Sequence, residues 1–149
     1  MISDLYSGQI LDAAAGIPAA RRLNAPDASA KKVSRVCGSE VEVDLKLDDG
    51  VVVDFGMTAR ACALGQAAAS LVAQNIVGAS VSELFVLRDQ MCVMLKENGP
   101  PPVGERWRGL AALEAVREYP QRHASTMLVF DAVVDCLEQS GYGERVGEN

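Results

Sequence analysis

The sequence predicts an α+β domain, a small antiparallel three-stranded sheet with helices packed on one face. Three observations carry this expectation. Residues 41–57 alternate apolar and polar side chains around Asp49-Gly50, the pattern of a β-hairpin. From about residue 62 onward the apolar spacing is helical. Strands precede helices without internal repeats, which separates α+β from an alternating α/β arrangement. At 149 residues the chain is about one domain long. A chain that size buries roughly two-thirds of its unfolded surface and needs no disulfides to fold.

Residues 2–15 are expected to form the first helix. Ser3 is a candidate N-cap, Asp4 suits the first turn, and Leu5, Ile10 and Leu11 form an apolar side. Gly16 and Pro18 end it. Residues 18–31, rich in Ala, Pro, Asn and Asp, read as a loop, and Lys32–Val36 as a third strand. Arg21, Arg22, Lys31, Lys32 and Arg35 make this region the one local positive excess. A solvated loop and a docking site for an acidic partner both account for it.

In the hairpin, Val41, Val43, Leu45 and Leu47 precede the turn, and Val51, Val53, Phe55 and Met57 follow it, all at period two. Keeping these odd-numbered residues on one face requires paired numbers with an even sum. Leu47 is therefore expected opposite Val51 across Asp48-Asp49-Gly50, with Gly50 in the left-handed position. The next helix is expected over residues 62–77, with Leu64, Ala68, Leu71, Val72 and Ile76 inward and Gly78 as its stop. Ser80 or Ser82 caps another, running to about Lys96. Gly99-Pro100-Pro101-Pro102 is a hard break. A short helix near 107–118, Tyr119-Pro120 and a last helix over about 121–139 complete the chain, with 141–149 as a flexible tail.

Composition narrows function. Lys plus Arg is 14 and Asp plus Glu is 20, a net charge of -6. That argues against nucleic-acid and anionic-membrane binding, which want a basic face. Aromatics at 5% argue against base-stacking platforms. No apolar run approaches the ~20 residues of a membrane span, and no secretory signal is evident. The expected setting is cytoplasmic, where cysteines serve as thiols or metal ligands more than as disulfides.

The cysteines carry the chemistry. The hairpin register, extended outward, puts Cys37 opposite Ala61, one residue from Cys62. The two sulfurs are then expected within about 8 Å. Gly38 lets the backbone beside Cys37 turn. Cys62 opens a helix, where free N–H groups and the dipole favour the thiolate that a soft metal, an iron–sulfur cluster or a persulfide requires. Two buried cysteines without chemistry are the alternative. Cys92, in Met91-Cys92-Val93-Met94, and Cys136, on the stripe Val129, Ala132, Cys136, read as core. His123, the one histidine, is either a surface group or a ligand. At 100° per residue, positions 123 and 125 differ by about 200° around a helix. Ser125 continues the inward stripe and His123 does not.

These residues resemble the U-type iron–sulfur cluster assembly scaffold family, which includes IscU, the NifU N-terminal domain and SufU. Leu5-Tyr6-Ser7-Gly8-Gln9-Ile10-Leu11-Asp12 is similar to the family's first helix, and Val36-Cys37-Gly38-Ser39 to its first ligand loop. The hairpin with Ala61-Cys62-Ala63-Leu64 is similar to the second. Leu113-Glu114-Ala115-Val116-Arg117-Glu118-Tyr119-Pro120-Gln121-Arg122 looks like the approach to the third ligand, closest in layout to the SufU branch. The resemblance spans residues 2–140, read as one domain with a SufE/NifU-like fold. It implies a scaffold or sulfur acceptor rather than an enzyme, carrying an iron–sulfur cluster or zinc. Its implied partners are a cysteine desulfurase and other iron–sulfur assembly proteins.

In that resemblance Ser39 stands where the family has aspartate, and Ser125 where it has its third cysteine. Ala124 aligns with the IscU-branch histidine, which displaces His123 by one. The implied ligand set is Cys37, Cys62, Ser39 and Ser125, with His123 as an additional candidate. A partly degenerate set of this kind leaves two other readings open. One is a regulatory module that docks on a desulfurase or scaffold without metal. The other is a dithiol redox protein using Cys37 and Cys62.

Overall fold

The computed structural model describes residues 7–35 and 38–142. Helix α1 (Gly8–Ala15) starts at Ser7, whose hydroxyl accepts the Ile10 N–H at 3.4 Å. The expected cap at Ser3, with Asp4 and Leu5, lies outside the described residues. Ile10 is buried, and α1 packs against α2 (Ala63–Asn75).

The sheet is an antiparallel meander of β1 (Ala28–Val33), β2 (Glu40–Asp48) and β3 (Val51–Arg60) in that order. The third strand thus starts and ends earlier than the 32–36 expected. The hairpin register differs from expectation as well. Val41 pairs with Ala59, Val43 with Met57 and Leu45 with Phe55. A bulge follows between Lys46 and Leu47, after which Leu47 faces Val52 and Asp48 faces Val51. The turn is therefore two residues long. Asp49 (φ 54°) and Gly50 (φ 74°) are both left-handed, the geometry that matches the strand twist and favours Asp-Gly. Val53 is the extra residue and is exposed, while Val52 points inward. Strict alternation had favoured a three-residue loop; the bulge keeps the same inner face beyond it with a shorter turn.

Helix α4 (His123–Gln139) lies across β1 and β2. Helices α2 and α3 (Val81–Lys96) pack on α4, and a run of 3₁₀ turns over Glu105–Glu118 packs on both. Where a short α-helix was expected at 107–118, Trp107, Leu110, Leu113 and Val116 are buried at three-residue spacing, which suits the 3₁₀ turn. Val41, Val43 and Leu45 meet α4 and are fully buried, each worth roughly 1.5–3 kcal/mol relative to exposure. Helix α3 carries a capping box. Ser80 Oγ accepts the Glu83 N–H at 3.1 Å, and Glu83 Oε1 accepts the Ser80 N–H at 3.3 Å. Arg106 closes the end of α2 by donating to the carbonyls of Asn75, Val77 and Gly78.

The other face of the sheet is covered by residues 21–27. Arg21 N–H bonds Met57 O at 3.0 Å and Asp27 N–H bonds Leu45 O at 2.8 Å. Asp44, fully buried under this strap, accepts from Arg22 Nε at 2.7 Å, Leu23 N–H at 3.0 Å and the Ser29 hydroxyl. The segment expected as a plain loop is thus tied down by ion pairs, and its last residues belong to β1. No helix among the described residues is long and apolar enough to cross a membrane.

Candidate metal centre

Cys62 is the N-cap of α2, with extended backbone (φ -66°, ψ 172°) and a half-buried side chain. Among the described residues, no side chain caps the first-turn amides of that helix. The helix starts here because Arg60 ends β3 and the Ala-rich run beginning at Ala63 offers helix formers without a competing side chain.

Facing Cys62 is the first turn of α4. Ser125 is 2% exposed and its Oγ lies 3.6 Å from Cys62 Sγ. The same hydroxyl donates to Arg122 O at 3.2 Å, and Thr126 Oγ1 donates to that carbonyl at 2.9 Å. The two helix starts meet this closely because residue 65 is glycine. A Cβ there would lie 2.8 Å from Ala61 Cβ and 3.2 Å from Ser125 O. Gly65 was not singled out in the sequence; its signal was one glycine inside an otherwise Ala-rich helix.

His123 turns elsewhere. Its Nε2 lies 3.1 Å from Val116 O and 3.3 Å from Arg117 O, which ties the ring to the end of the 3₁₀ run. The geometry agrees with the rotation argument: Ser125 touches Cys62, and His123 holds a different neighbour. His123 also lines a pocket of about 450 Å³ with Lys32, Arg88 and Cys92. Cys92 is accordingly half-buried rather than full core, because its turn of α3 faces that pocket. Cys136 is core as expected. Its thiol is fully buried and donates to Val43 O at 3.6 Å. Burial, with the Asp135 and Asp44 charges, pushes it up to about 12.

Ser39 is 3% exposed and its carbonyl accepts the Ser34 N–H at 2.8 Å, which closes the turn between β1 and β2. Gly38 N–H bonds Ser34 O at 2.9 Å in the same turn. Cys37, and with it the expected Cys37–Cys62 approach, lies outside the described residues. Among the described residues, no three His, Cys, Asp or Glu side chains gather as a metal would require.

The charges divide in two. Arg21 pairs with Asp54, Arg22 with Asp44 and Glu42, Lys31 with Glu40 and Lys32 with Asp135. The basic excess read in the sequence is therefore largely consumed within the fold. Arg35, Arg60 and Arg122 form no ion pair among the described residues.

Comparison with known proteins places this arrangement. The family model described as NifU-like N terminal domain matches residues 5–126. The iron–sulfur cluster assembly scaffold protein IscU of Thermotoga maritima is 27% identical over 135 residues, covering 91% of this chain and 94% of that protein. The crystal structure of a nitrogen-fixing NifU-like protein (N-terminal) from Brucella abortus is 49% identical, with a TM-score of 0.92 over 94% of this chain and 96% of that one. A SUF-system scaffold structure from Fervidobacterium islandicum shares the fold at 19% identity, with a TM-score of 0.80 over 91% and 98% of the two chains.

Proposed function

Because the chain belongs to the NifU-like N-terminal domain family, we propose that it is an iron–sulfur cluster assembly scaffold that holds iron, sulfur or a nascent cluster as cargo. The observation that carries this reading is the meeting of Cys62 with Ser125 at the joined starts of α2 and α4, the end of the sheet where the Ser34–Ser39 turn also lies. Cys62 and Cys37 supply the thiolates that iron and sulfide chemistry requires. Ser39 and Ser125 are the remaining candidate donors and are weaker ones, since a hydroxyl is a hard and usually protonated ligand.

That donor set suits cargo passed on more than a resident four-ligand zinc, whose closed sites use Cys and His throughout. The protein's own part is to present thiolates, shield them and hand the cargo over, without turning over a substrate alone. Sulfur then comes from a cysteine desulfurase in the cytoplasm, where thiols stay reduced. The test is anaerobic reconstitution with ferrous iron and sulfide alone. Sulfide-to-iron charge-transfer absorbance, lost in Cys62→Ala, is the expected result. No absorbance and no bound iron in the parent would sink the reading.

A second reading, a regulatory module without metal, is favoured by one observation. The Ser125 hydroxyl already has a partner in Arg122 O, so it needs no metal to be satisfied. Under that reading Cys37→Ala leaves desulfurase binding and cellular function unchanged.

A further inference from the structure

We propose that the pocket walled by β1, α3 and α4 binds a small organic anion with a doubly charged head and an apolar body, of which a phosphate monoester is the simplest form. The pocket holds about 450 Å³, within the range of small-molecule sites. Cys62 and Ser125 do not line it, so the proposal goes beyond the scaffold reading and does not depend on it. Helix α3 supplies one wall. Arg88, Cys92 and Lys96 all line the pocket, and residues four apart share one face of a helix. The half-buried Cys92 is thus flanked by a cation one turn to either side. Lys32, from β1 at the outer edge of the sheet, supplies a third. Helix α4 adds the buried Met127 and Leu128 as apolar lining, with Asp131 beside them.

The charges decide the ligand class. Asp131 accepts from Arg88 Nε at 3.2 Å and is offset by it. Lys32 pairs with Asp135 at 3.4 Å, but Asp135 is not part of the lining. Lys96 forms no ion pair among the described residues. The lysines, arginine and aspartate that line the pocket therefore leave an excess of two positive charges, on a chain of net charge -6. A phosphate monoester carries about -1.5 to -2 at neutral pH, and arginine and lysine both bind its oxygens by charge-assisted hydrogen bonds. Few polar groups set against an apolar lining is how sites for small molecules are built. Lys96 in the last turn of α3 also complements the helix dipole, but that explains neither the volume beside it nor the cation from β1. An extended polyanion is repelled by the rest of the surface, which leaves a ligand small enough to sit inside.

The test is calorimetric titration of the full chain with naphthyl phosphate, beside naphthol and inorganic phosphate. Naphthyl phosphate is expected to bind about tenfold or more tighter than either, since each of the others lacks half of what the pocket recognises. At saturation it should slow iodoacetamide modification of Cys92 several-fold, read by peptide mass, and leave Cys62 unaffected. Lys32→Gln and Lys96→Gln should each weaken binding several-fold while remaining folded by circular dichroism. Lys46→Gln, at an exposed lysine outside the pocket, should not weaken it. Protection of Cys92 is read in the unaltered chain, so it stands even where a variant misfolds. No binding at millimolar concentration would overturn the proposal, as would binding that leaves Cys92 unprotected or ignores both lysine variants. Inorganic phosphate bound as tightly would also overturn it, as an adventitious ion only, and naphthol bound as tightly would assign the pocket to neutral apolar molecules. Reconstitution with iron and sulfide judges the scaffold reading separately.

Discussion

At Ser125 a single atom separates two chemistries. Its Oγ stands 3.6 Å from Cys62 Sγ, a position from which a sulfur would meet a shared soft metal. Ser125→Cys is therefore expected to tighten iron or zinc binding about tenfold, or 1.4 kcal/mol, measured by competition with a chromophoric chelator. An unchanged affinity would mean that the thiols do not converge on a common ion. His123 gives the opposite expectation. With Nε2 bonded to Val116 O, His123→Ala should keep the parent's iron affinity and lose about 1 kcal/mol of stability with that hydrogen bond. A large loss of iron would instead make the imidazole a ligand. The separation of these two residues was readable before any coordinates, because a helix cannot turn positions 123 and 125 the same way.

Among the elements, the junction of α2 with α4 has the least tolerance. Alanine is ordinarily favoured over glycine inside a helix by about 1 kcal/mol. At residue 65 the added methyl would press on Ala61 and on the Ser125 carbonyl. Gly65→Ala is expected to cost about 1–3 kcal/mol of stability in spite of propensity, read as a lower urea midpoint. A stabilised variant would show that the two helix starts can part freely. How far such detail was legible depends on its range. The hairpin's inner face at Val41, Val43, Leu45, Phe55 and Met57, and a serine cap for α3 at Ser80 or Ser82, rest on residues a few positions apart, and both could be read directly. The bulge at Val53 depends on which turn is cheaper against the twist of two strands. The bulge is not written in a local pattern. The 3₁₀ winding of Glu105–Glu118 is, in the three-residue spacing of Trp107, Leu110, Leu113 and Val116, although a short α-helix was expected there.

For the molecule as a whole, the strap across the outer sheet face links stability to acid. Burial pushes the Asp44 carboxyl up, but the bonds from Arg22, Ser29 and the Leu23 N–H outweigh it and hold the group below its ordinary value. Its stabilisation is therefore complete above the unfolded carboxylate value of about 3.9, and is lost as pH falls through the lower folded value. Asp44→Asn should cost about 1.5–3 kcal/mol at neutral pH and flatten the acid dependence of the urea midpoint. Equal slopes in parent and variant would place the acid sensitivity elsewhere. These long-range partners also explain why residues 18–31 looked like an unattached loop: Arg22 and Asp44 are 22 positions apart, and no periodicity announces them. Deeper still, Cys136 lies at the contact of α4 with β2, its thiol pushed up to about 12 and bonded to Val43 O. An alkylating reagent that modifies the half-buried Cys62 and Cys92 promptly must wait at Cys136 until helix and sheet part. The chain thus carries its own clock for global opening: under native conditions the rate at which the reagent labels Cys136 follows the population of unfolded molecules, with no reporter residue engineered in.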